Sequence, residues 1–80
     1  MMKKQEMIRK IQVAEAQAWK AYRDAEVAGM GYSPEQINRL KNRWVALYDL
    51  REEMGIPALT VAQMRAMNLV PLTQQVPRVA

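Results

Sequence analysis

Cysteine and histidine are both missing from the 80 residues. Without cysteine there can be no disulfide framework and no thiolate metal site, which accords with a reducing, cytoplasmic setting. Without either residue the chain also lacks the commonest nucleophile and base side chains. Ser33 is committed to a helix cap, and Glu52 and Glu53 are neighbours on one helix surface rather than a facing carboxylate pair. Neither a glycine-rich phosphate loop nor a metal-ligand spacing occurs. Catalysis is therefore not expected, and neither is a cofactor, a metal ion or a small-molecule substrate.

Long apolar runs are missing as well. A bilayer-spanning helix needs about 20 consecutive apolar residues, and no stretch of the chain approaches that length. The opening MMKKQEMIRKIQ carries early positive charge, but Glu6, Arg9 and Gln12 break it up before a signal-peptide core could form. No membrane partner is expected. The net charge of +4 and a pI near 9.8 permit a polyanionic partner, yet a surplus of that size is ordinary for a small soluble domain. Residues 1–80 make one small helical domain. At this size the buried fraction is limited, so oligomerisation is a ready way to gain burial.

Glycine and proline are absent from residues 3–28, which are rich in good helix formers and predict a first helix. Met7, Ile11, Ala14, Ala18, Ala21, Ala25 and Ala28 recur every three or four residues and form a mostly alanine seam. Ile8, Trp19 and Tyr22 form an adjoining stripe interrupted by Glu15. The two stripes belong either to one broad core face or to two separate contacts.

Gly29 and Gly31 mark a stop and a turn. A second helix, at about 34–54, opens with a capping box of Ser33 and Gln36, with Pro34 at its first position and Tyr32 and Ile37 placed as a staple. Ile37, Leu40, Trp44, Leu47, Tyr48 and Met54 supply the bulk that the alanine seam lacks. Gly55 and Pro57 end the helix. Lys3, Lys4, Arg9 and Lys10 open the first helix, and Asp24 and Glu26 close it. Arg39, Lys41 and Arg43 precede Asp49, Glu52 and Glu53 on the second. An antiparallel hairpin would set each basic end beside an acidic one.

Thr60 with Gln63, and Leu59 with Met64, repeat the box and staple ahead of a short third helix at about 61–68. The tail at 70–80, with Pro71 and Pro77, is expected to be extended. The fold class is thus all-α: a hairpin, a short third helix and an extended tail.

Over LREEMGIPALTVAQM, residues 50–64, the chain resembles the turn of helix-turn-helix proteins, through Leu50, Met54, Gly55, Ile56, Val61 and Met64. That resemblance implies a DNA-binding regulator whose second helix offers Thr60, Gln63, Arg65 and Asn68 to base edges. The chain departs from the motif at Arg51, where a small residue is usual, and at Pro57 and Leu59. The first expectation is instead a non-enzymatic interaction or assembly module, self-associating or bound to a larger protein. Its candidate contact residues are Ile8, Trp19, Tyr22, Met64, Met67 and Leu69, since methionine-rich apolar surfaces adapt to partners of imperfect shape.

Overall fold

The computed structural model describes residues 3–27 and 31–72. Three α-helices follow one another, α1 (Lys4–Ala25), α2 (Pro34–Glu53) and α3 (Val61–Ala66), and no strand occurs among the described residues. The first two pack together as the hairpin that the sequence predicts. Ala28 of the expected seam and residues 73–80 of the expected tail lie outside the described residues.

Local chemistry sets most of the helix ends. Ser33 Oγ accepts the Gln36 N–H while Gln36 Oε1 accepts the Ser33 N–H, and Thr60 and Gln63 repeat this exchange at the start of α3. Each box satisfies two backbone donors that a helix start otherwise leaves orphaned. Tyr32, expected to staple against Ile37, stays largely exposed.

At the end of α2, Gly55 adopts φ 67°. Its N–H donates to the Glu52 carbonyl, the Ile56 N–H donates to the Arg51 carbonyl, and Ile56 is buried. This is the Schellman stop that Gly55 predicts. The same device ends α3 two residues earlier than expected. Asn68 takes φ 58°, with Asn68 N–H donating to Arg65 O and Leu69 N–H to Met64 O. Asparagine tolerates the left-handed region better than other non-glycine residues, so Asn68 stops the helix instead of extending it.

Two contacts fix the register of the hairpin. Tyr22 stacks on Trp44 at 6.0 Å between ring centroids, and Glu15 Oε1 accepts from Arg51 Nε at 2.9 Å. Antiparallel pairing at these heights places the end of α2 opposite about Val13, so the first two turns of α1 run past it. That stagger explains a failed expectation. Among the described residues, no ion pair joins the basic start of α1 to the acidic end of α2. Asp24 and Glu26 instead pair within α1, with Lys20 and Arg23.

The buried side of α1 is also broader than the alanine seam. Ala18 and Ala25 are buried, but Met7 and Ala21 are exposed. The deepest alanine is Ala16, which lies outside the seam and clusters with Leu59 and Leu69, flanked by Val13 and Met64. α1 therefore serves two partners. α2 covers one side, and residues 57–72 cover the adjacent one. Gln12 Nε2 donates to the Pro57 carbonyl at 2.7 Å, and the Leu72 N–H donates to Asp24 Oδ1 at 2.7 Å. Between these anchors Leu69, Val70 and Pro71 are buried as a strap along α1.

Candidate interaction site

Where α1, α2 and the connection to α3 meet, a cavity of 280 Å³ opens to the surface, lined by Trp19, Trp44, Tyr48, Arg51, Leu59 and Met64 among others. Helical spacing brings the α2 members together, because Trp44, Tyr48 and Arg51 lie one turn apart on neighbouring rows. Tyr22, Trp44 and Tyr48 form a ladder of rings: Tyr22 and Trp44 stacked, Trp44 and Tyr48 tilted by 54° at 5.7 Å. The Arg51 guanidinium carbon continues the ladder 5.1 Å from the Tyr48 centroid, within reach of a cation–π attraction.

Arg51 is the buried centre of this arrangement. Its Nε donates to Glu15 and its Nη1 to the Ile56 carbonyl at 2.8 Å, while Glu52 lies 4.0 Å from the same Nη1. Both side chains of the Arg51–Glu15 pair are nearly excluded from solvent, at 7% and 12% exposure. No buried side-chain nitrogen or oxygen among the described residues lacks a hydrogen-bond partner. Hydrogen bonding to the Glu52 carboxylate, together with its negative charge, pushes the Tyr48 phenol above its usual value of 10. The cavity therefore offers aromatic and thioether walls with a neutralised polar floor, suited to receiving an apolar or aromatic side chain.

The candidate contact residues do not gather at one place. Trp19 and Met64 line the cavity, and Tyr22 is the outer rung of the aromatic ladder. Ile8 borders an open groove on the overhanging start of α1, with Arg9, Gln12 and Val13. Met67 is exposed. Leu69 packs inside the core and presents nothing to a partner.

The residues named for base contacts are placed as follows. Thr60 and Gln63 spend their side-chain hydrogen bonds on each other's backbone. Asn68 is the left-handed stop, and Arg65 is exposed on a helix of six residues.

The sequence alone sets Trp44 and Tyr48 against the alanine seam, and shows Glu15 only as an interruption and Arg51 only as a departure from a motif. A signal for the last two was present: each helix carries one opposite charge inside an otherwise apolar stripe. Pairing those interruptions would have set the register. No helix among the described residues is long and apolar enough to cross a membrane. Comparison with protein-family models, with curated proteins and with solved structures gave no match, so the chain's own geometry is the basis for a functional reading.

Proposed function

We propose that the chain is a small, non-catalytic protein-interaction module, working by self-association or by binding a larger protein. One observation carries this reading. The 20-residue α2 has a single fully buried residue, Arg51, while Val45, Tyr48, Leu50 and Met54 are 37%, 38%, 43% and 44% exposed. A monomer gains little from large apolar side chains left partly in water along one helix and its C-cap, whereas an interface uses such residues directly. The aromatic-walled cavity beside Tyr48 adds a recess for an anchoring side chain of the kind that dominates binding energy.

The test is recovery of protein partners by the tagged full-length chain, beside a Tyr48→Glu variant that adds charge at an exposed position. Expected is recovery of another protein by the wild type and its loss with Tyr48→Glu, or recovery of untagged copies of the chain. A chain that recovers nothing and stays monomeric overturns the reading. So does duplex DNA binding that weakens steeply with salt and depends on Gln63 and Arg65, because phosphate contacts impose that salt dependence.

A further inference from the structure

The charges on α2 are divided along its length. After Glu35 in the first turn, Arg39, Lys41 and Arg43 occupy its first half, and Asp49, Glu52 and Glu53 flank the buried Arg51 in its last turns; these six are exposed. None of Arg39, Lys41, Arg43, Asp49 and Glu53 is ion-paired within the described chain. The helix ends themselves carry Glu35 in the first turn and Arg51 in the last, so the divided charges between them are available to a neighbour.

Position on the helix adds a second condition. The packed side of α2 runs through Leu40, Trp44, Leu47 and Arg51. Tyr48 lies on the flank that borders the cavity and Met64. On the opposite flank, away from α3 and the strap, helical spacing aligns Arg39, Arg43, Ala46, Leu50 and Glu53. Ala46 is exposed midway between Arg39 and Glu53, with Leu50 and the neighbouring Met54 exposed beside it.

We infer that this flank of α2 binds the same flank of a second copy, antiparallel about a two-fold axis at Ala46. A two-fold contact requires a self-complementary surface, and a face that is basic in one half and acidic in the other is self-complementary only when antiparallel. Arg39 of each copy then meets Glu53 of the other, and Arg43 and Asp49 add to the same charge match from the two edges of the contact. The small Ala46 lets the helices approach closely at the crossing, and Leu50 and Met54 of both copies are withdrawn from water.

This inference rests on the interaction-module reading but uses the flank opposite Tyr48, so the two can fail separately. The experiment is sedimentation or light scattering of the full-length chain over a concentration series. Expected for the wild type is a concentration-dependent species of twice the 9.2 kDa chain mass, weakened by added salt. The double variant Arg39→Glu with Arg43→Glu is expected to raise the dimer dissociation constant by about tenfold or more, and so is Asp49→Lys with Glu53→Lys. An equimolar mixture of the two variants should regain the dimer, since one then offers an acidic face and the other a basic one.

A wild type that is monomeric at every concentration overturns the inference. A dimer indifferent to both charge reversals, or a mixture that fails to associate, overturns it equally. A monomer that still recovers another protein through Tyr48 would leave the interaction-module reading standing.

Discussion

Arg51 lies where the apolar stripe of α2 calls for leucine, and its cost is met by three partners at once: the Glu15 carboxylate, the Ile56 carbonyl and the Tyr48 ring. Removing one member of a buried pair strands the other, which typically costs about 3–5 kcal/mol, while replacing both with apolar residues is often neutral. Arg51→Met alone is therefore expected to lower stability by about 3 kcal/mol. Glu15→Leu combined with Arg51→Met should recover most of that loss, leaving a deficit of about 1 kcal/mol for the Ile56 carbonyl, which keeps no donor. Urea denaturation of both variants checks this. A double variant as unstable as the single one would mean that the ion pair is not what holds α1 against α2.

Asn68 gives a second residue-scale test, because its backbone angle decides the outcome. At φ 58° glycine is unstrained, asparagine is tolerated and a residue with a plain Cβ pays about 1–2 kcal/mol. Asn68→Gly should raise the melting temperature slightly and Asn68→Ala should lower it. Were Asn68 instead a base-reading side chain on a continuing helix, alanine would be the better tolerated of the two in the folded protein.

At the scale of elements, whatever depends on neighbours within a few residues was legible. Ser33 with Gln36, Thr60 with Gln63, and Gly55 act at their own helix ends through bonds that a single turn supplies. The pairing of α1 with α2 was legible too, since an alanine seam asks for bulky residues opposite. What escaped is what the register decides. Glu15 and Arg51 are 36 positions apart, and no local rule joins them. The end-to-end charge pairing failed at one end because the stagger carries the basic start of α1 past the last turn of α2, and at the other because Asp24 and Glu26 pair locally with Lys20 and Arg23.

The cap at the start of α3 is the most exposed of these local devices to test, because six residues are too few for a helix to hold itself. Thr60→Ala removes the side-chain acceptor for the Gln63 N–H and is expected to cost about 1 kcal/mol. The loss should appear mainly in residues 61–69, read as faster hydrogen exchange there. A uniform change across α1 and α2 would indicate that α3 and the hairpin open together.

For the whole molecule, that last distinction concerns how two layers are joined. The chain measures 43 × 34 × 20 Å, so its thinnest dimension is about two helix diameters, with the hairpin in one layer and α3 with the strap in the other. The core that joins them is small: Ala16 from the hairpin, Leu59 and Leu69 from residues 57–72, with Val13 and Met64 at its edge. The sequence suggested extended backbone after Asn68, but the burial of Leu69, Val70 and Pro71 against α1 needed the third dimension to become visible.

A layer held by so few side chains should open before the hairpin does, since local stability follows local contact density. Leu69→Ala takes away both a core member and the apolar contact of the second Schellman stop, and such truncations cost about 2–5 kcal/mol. In a domain of this size, total stability is on the order of 4–12 kcal/mol, so the variant should release residues 57–72 while α1 and α2 stay paired. Leu72→Ala, at a position already 39% exposed, should change little. The measurement is hydrogen exchange resolved by residue: Leu69→Ala is expected to strip protection from Met64 to Leu69 and to leave that of Trp19, Tyr22, Trp44 and Leu47 nearly intact. Simultaneous loss of protection in all of these would show one cooperative unit, and the cavity beside Tyr48 would then lack a separately movable wall.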